Sequence, residues 1–155
     1  MVDKITIIHE QDRDAEFEQT VKQELDFDAA QLNFGTLVAN AADDTESSTT
    51  ETAYQEKLTA TTPILYVGDK YAVFWFMEIR ANLQNKSGEA RLQVDDTTTE
   101  VEVEHEGNEW FPITGFGVYT VGTEKTYTID IDYRAVDGTA YIRRARILSF
   151  IVERA

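Results

Sequence analysis

Tyr71–Leu83 reads YAVFWFMEIRANL. Val73, Trp75, Met77, Ile79, Ala81 and Leu83 recur at every second position, with Phe74, Phe76, Glu78 and Arg80 between them. A helix turns 100° per residue and would scatter the first set around its surface; a strand lines it up on one face. The stretch therefore predicts one long strand with a fully apolar inner face. Its outer face is unusual, because two phenylalanines share it with a glutamate and an arginine.

The same period of two continues along the chain. Ala90, Leu92 and Val94 alternate with Arg91, Gln93 and Asp95. Val101, Val103 and His105 alternate with Glu100, Glu102, Glu104 and Glu106. Tyr127, Ile129, Ile131 and Tyr133 alternate with Thr128, Asp130, Asp132 and Arg134. Ala140–Val152 is apolar on both faces in its second half, the pattern of a central strand. Turn-forming residues separate the runs at Gly68-Asp69-Lys70, Asn85–Gly88, Asp95-Asp96, Glu106–Asn108, Val121–Thr123 and Asp137-Gly138. The last pair predicts a tight hairpin, since both residues tolerate positive φ. Pro63 and Pro112 are the only prolines, so none interrupts a long run. Seven or eight strands at this spacing predict an all-β fold, an antiparallel β-sandwich, with a jelly roll as the preferred topology.

The first third of the chain reads differently. Residues 1–62 carry four basic residues against fourteen acidic ones, and residues 63–155 carry ten against fifteen. Lys4–His9 is a short strand candidate, and Phe34–Val38 another. Phe17, Val21 and Leu25, spaced four apart, predict a short helix with a narrow apolar stripe. Asn40–Ala53 is small and polar, and predicts a linker or solvated loop. The expected organisation is thus an acidic N-terminal arm and linker over residues 1–50, followed by a sandwich domain over residues 51–155.

Composition excludes several functions. The net charge of −15 argues against nucleic acid and anionic membrane surfaces as partners, since both need clustered cations. The chain has no cysteine, which rules out disulfides, thiolate metal sites and thiol nucleophiles. No apolar run approaches a membrane span, and the N-terminus runs too quickly into charge for a secretory signal. HExxH, GxSxG, GxxxxGK[ST] and GxGxxG are absent, so no catalytic residue, cofactor or metal ligand is assigned. The ladder Glu100, Glu102, Glu104, Glu106 reads as a solvated face rather than a Ca²⁺ site, because it lacks the loop carbonyls such a site uses. His105 reads as a satisfied, half-buried side chain. Trp75 reads as core. Trp110 and Phe111 precede Pro112 near an expected sandwich edge, where they stack on a sugar or pack against the core or a neighbouring subunit. Arg143, Arg144, Arg146 and Arg154 concentrate four of the eight arginines near the C-terminus. Strict alternation places Arg143 opposite Arg144 and puts Arg146 with Arg144. With Glu78 and Arg80 they predict a Glu–Arg network across strands or across subunits, since charges in apolar strands need partners.

Three stretches carry a resemblance: TAYQEKLTATT (Thr52–Thr62), YAVFWFMEIRANL, and TYTIDIDYRAVDGTAYIRRARILSFIV (Thr126–Val152). Over residues 50–155 the chain resembles small jelly-roll or β-sandwich virion proteins of tailed bacteriophages. The resemblance implies a non-enzymatic capsid decoration, or cement, protein on the capsid surface of a virion. The implied partners are itself, as a homotrimer, and a major capsid protein. Phe74, Phe76, Glu78, Arg80, Arg144 and Arg146 are then the oligomer interface, and Phe17, Val21 and Leu25 a capsid-binding arm. The alternative is a glycan- or receptor-binding module on a phage tail or fibre, using Trp110 and Phe111. A polysaccharide-degrading enzyme on the same fold is the third reading.

Overall fold

A computed structural model describes residues 35–155. The helix expected around Phe17, Val21 and Leu25, and the strand expected at Lys4–His9, lie outside the described residues. Nine strands follow: β1 (Thr36–Asp43), β2 (Ser47–Thr49), β3 (Gln55–Thr61), β4 (Lys70–Ala81), β5 (Ser87–Val94), β6 (Thr98–Glu106), β7 (Phe111–Thr120), β8 (Thr128–Ala135) and β9 (Ala140–Glu153). They form two sheets with every pair antiparallel. One has the order β1-β9-β4-β7, with β2 also pairing β9; the other has the order β3-β8-β5-β6. Successive strands mostly cross between the sheets, which is the wiring of a jelly roll.

The core lies between the sheets and is built from the alternation read in the sequence. Val73, Met77 and Ile79 of β4 meet Leu92 of β5, Ile129 and Ile131 of β8, and Ile142, Ile147 and Ile151 of β9, all fully buried. Burying each of the larger side chains contributes about 1.5–3 kcal/mol. Leu83, expected on this face, lies beyond the end of β4 and is exposed.

Three expectations need correction. Asn40–Ala53 is not a linker: it completes β1, which pairs along Asn40–Asp43 with Ala145–Leu148, and supplies β2. The sandwich therefore begins at Thr36 rather than at residue 51. Asp137-Gly138 does not close a hairpin, because β8 and β9 belong to different sheets. Gly138 does adopt a positive φ of 77°. The loop is pinned to the start of β5, where Ser87 N donates to Asp137 Oδ1 at 2.7 Å and Lys86 Nζ to Asp137 Oδ2 at 3.0 Å. The tight turn sits instead between β5 and β6, where Asp95 and Asp96 both have positive φ. Third, β9 carries a bulge. Phe76 pairs with Arg146 and Glu78 with Arg143, so Arg144 is the extra residue, with φ of 52°. The shift in phase puts Arg143 and Arg146, not Arg144 and Arg146, on successive outward positions.

Candidate functional site

The two outer faces of the sandwich differ in kind. On the β3-β8-β5-β6 sheet the arginines are paired with carboxylates of the same face. Tyr54 lies under two guanidiniums, Arg91 at 3.7 Å and Arg134 at 4.7 Å from its ring centre. Its hydroxyl donates to Glu89 at 2.8 Å, and Arg134 donates to the same carboxylate at 2.6 and 2.8 Å. Arg91 Nε donates to Asp132 at 3.0 Å. Burial raises the cost of ionising Glu89, but the bonds from Tyr54 and Arg134 outweigh it and hold the carboxyl below its usual range. Burial pushes Asp130 up, against a hydrogen bond from Thr59 and with Asp96 and Asp132 nearby. Much of this face is tied together by its own side chains, although the buried Asp130 Oδ2 has no hydrogen-bond partner among the described residues. The Glu100–Glu106 ladder continues the face along β6, an edge strand, where repeated like charge discourages pairing with another sheet.

Among the described residues, no element packs over the outer face of the β1-β9-β4-β7 sheet. The register aligns Asn40, Leu148, Phe74 and Phe116 in one row across the four strands. The row on one side holds Ala72, Phe150 and Val118, with Leu37 opposite Phe150. The row on the other side holds Ala42, Arg146, Phe76 and Thr114. Phe116 is 68% exposed, Val118 54%, Leu37 51% and Phe74 45%. Exposed together, these side chains form an apolar patch on this face. The rings are organised: Phe74 stacks on Phe116 at 5.8 Å and meets Phe150 edge-on at 6.3 Å. Beside them is a shallow depression of about 320 Å³. Phe74 and Phe76 form its aromatic wall, and Asn40, Thr114 and Arg146 contribute polar groups. Trp75 and Gly115 also line it.

Beyond the depression the same face becomes charged. Arg143 Nε donates to Glu78 Oε2 at 2.5 Å and Arg144 Nη1 to Glu78 Oε1 at 3.2 Å. The sheet thus contains an interstrand Glu–Arg network. Arg80 lies 4.1 Å above the Tyr141 ring and 4.8 Å from the Trp110 ring, and Arg143 lies 4.0 Å from Trp110. Arg80 also pairs with Glu46 at 3.4 Å, and Arg146 pairs with Asp44.

Phe74, Phe76, Glu78, Arg80, Arg144 and Arg146, singled out from the sequence, are therefore gathered on one surface. Trp110 and Phe111 are not a free aromatic platform. Trp110 is half-buried under Arg80 and Arg143, and Phe111 stacks on His105 at 4.8 Å. His105 Nε2 lies 3.1 Å from Glu109 O. Sequence reading missed Phe116, Asn40 and Thr114. The Gly115-Phe116-Gly117-Val118 run held the clue to the first, because glycines alternating with apolar residues leave the latter standing alone on one face. Among the described residues, no three of His, Asp and Glu gather closely enough to hold a metal ion.

No family model matches the sequence, and no curated protein matches it. Solved structures similar to the chain include the C-terminal domain of EclA, a sugar-binding protein, at 18% identity and a TM-score of 0.43, over 69% of this chain and 79% of that one. Another is the CBM22-1 xylan-binding domain of Paenibacillus barcinonensis Xyn10C, at 12% identity and 0.35, over 81% and 93%. A third is the enzymatically active domain of bacteriophage CBA120 tailspike protein 4, at 11% identity and 0.33, over 79% and 20%. At these values the functional reading rests on the geometry of this chain.

Proposed function

We propose that this chain is a non-catalytic binding module that holds a glycan on the outer face of the β1-β9-β4-β7 sheet. The observation that carries the reading is the exposed Phe74–Phe116 pair beside a largely apolar depression whose polar side chains are Asn40, Thr114 and Arg146. A sugar presents an apolar ring face and a rim of hydroxyls. Aromatic rings flanked by a few placed polar groups match both requirements. In isothermal titration against a panel of oligosaccharides, Phe74→Ala is expected to weaken the binding sugar about tenfold, with Phe116→Ala similar, as truncation of aromatic anchors commonly does. A panel without a binding sugar, or affinity unchanged in both variants, overturns the reading.

A second reading is favoured by the apolar end of the same face. Leu37, Phe74, Phe116 and Val118 are exposed together, as they would be on a subunit taken out of an oligomer. On that reading the chain is a structural virion protein, packed as a trimer on a capsid surface. Light scattering on a sizing column separates the two. A stable species of three times 17.6 kDa, dissociated by Phe116→Asp, supports the virion trimer; a monomer across the accessible concentration range removes it.

A further inference from the structure

We propose that the glycan held on this face is anionic, and that Arg144, with Arg143 and Arg146 beside it, receives its carboxylate or sulfate group. The inference rests on the glycan reading above and names the class of sugar.

The first support is the distribution of charge. The chain carries −15 overall, yet Arg80, Arg143, Arg144 and Arg146, half of its eight arginines, lie on this one face. Among the described residues, the carboxylates they reach are Glu78, Asp44 and Glu46, so cations outnumber their partners there in a molecule that is acidic elsewhere. An anionic ligand would be repelled by most of the surface and accepted here.

The second support is the bulge. An unbroken strand would turn one of two adjacent arginines into the core, where an unpaired charge is not tolerated. The extra residue keeps all three guanidiniums outside: the Arg143, Arg144 and Arg146 side chains are 29%, 55% and 40% exposed. The left-handed backbone at Arg144 costs about 1–2 kcal/mol for a residue with a Cβ. Glycine would remove that cost and would leave Glu78 its bond from Arg143.

The third support is how unevenly these arginines are held. Arg143 is fixed by the mostly buried Glu78 and by the Trp110 ring. Arg144 shares the same carboxylate through its one hydrogen bond among the described residues, at 3.2 Å. Arg146 Nη1 donates to Ala145 O at 2.9 Å, and its other partner is the exposed Asp44. Pairs this exposed contribute little, so a ligand oxyanion can replace them and gain bidentate guanidinium contacts. Arg146 also lines the depression, which joins the anion site to the aromatic wall.

The test is titration of the full chain with oligogalacturonate, a sulfated galactan oligosaccharide and a neutral galacto-oligosaccharide, at low and high NaCl. At least one of the two anionic sugars is expected to bind about tenfold tighter than the neutral one at low salt, with the advantage lost as salt rises. Which of the two binds assigns carboxylate or sulfate. Arg144→Gly is expected to lose about tenfold in affinity for that sugar, while its melting temperature is equal to or above wild type. Equal binding of neutral and anionic sugars overturns the inference and leaves the glycan reading standing. Wild-type affinity in Arg144→Gly, or poly-glutamate competing as strongly as the sugar, also overturns it. Binding of no sugar at all overturns both.

Discussion

Gly115→Val is expected to destabilise the fold by about 2–4 kcal/mol, the cost of forcing extra methyl groups into a packed interior. Gly115 faces Trp75 across the β4–β7 pair. A Cβ built on it would lie 2.5 Å from Trp75 Cζ2 and 2.9 Å from Cε2. Real carbon atoms do not approach so closely, and the ring cannot swing aside, because the indole is buried within the core cluster. The backbone at Gly115 is not left-handed, so the penalty comes from volume alone. β7 is an edge strand and would yield by moving outward, which limits the cost. Guanidinium unfolding of Gly115→Ala and Gly115→Val should show a graded loss, the valine being worse. Trp75→Phe removes the atoms in the way. The double variant Trp75→Phe/Gly115→Ala should therefore be more stable than the sum of the single effects predicts. Strict additivity would show that the two residues do not constrain each other. Because Trp75 and Gly115 both line the depression, the same change should also alter binding there.

The strands were legible because burial on one face imposes a period of two, and nothing in β4, β5 or β8 breaks it. Where the fold departs from alternation, the sequence is silent. The bulge at Arg144 has no glycine or proline to announce it; its left-handed residue is an arginine, held by neighbouring ladder bonds rather than by its own preference. The polar run Asn40–Ala53 reads as solvated because alanine is its only apolar residue type. β1 and β2 need few apolar residues, since each pairs on one side only and packs little of its length into the core. Asp137-Gly138 satisfies any reversal that needs positive φ. Whether the reversal joins neighbouring strands or crosses between sheets depends on pairings far away in the chain. The site was half legible for the same reason. Phe74, Phe76, Glu78 and Arg80 stand out as intruders on an outward face. Asn40, Thr114 and Phe116 join them only through the strand order β1-β9-β4-β7, which local pattern does not contain.

The membership of β1 and β2 in the sandwich has its own test, at Lys57. This lysine lies where the register of β3 against β8 shifts, between Glu56 and Leu58, and its ammonium is buried. It donates to Asp43 Oδ2 at 2.6 Å, Thr45 O at 2.8 Å and Ser47 Oγ at 3.0 Å, so one β3 side chain holds the end of β1, the turn after it and the start of β2. Lys57→Met keeps the volume of the stem and removes the charge. Asp43 keeps its bonds from Thr45 N and Oγ1 and remains partly in water, so the loss should be about 2 kcal/mol, below that of a fully buried pair. Asp43→Asn leaves the buried ammonium without a counter-charge and should cost more, about 3 kcal/mol. The double variant should fall short of the sum. The pH dependence follows from the same contacts. The hydrogen bonds from Lys57 and from Thr45 lower the Asp43 carboxyl from 3.8 to about 2. A carboxyl whose folded pKa is depressed contributes its full stability above the unfolded value and loses it as pH falls through the folded one. Wild type should therefore lose this contribution between about pH 4 and pH 2. Lys57→Met should lose less over the same interval, so the gap between the two unfolding curves narrows as the solution is acidified. A gap that stays constant from pH 6 to pH 2 would mean that Asp43 and Lys57 do not act as a pair, and that β1 and β2 are held to the sandwich by their ladder with β9 alone.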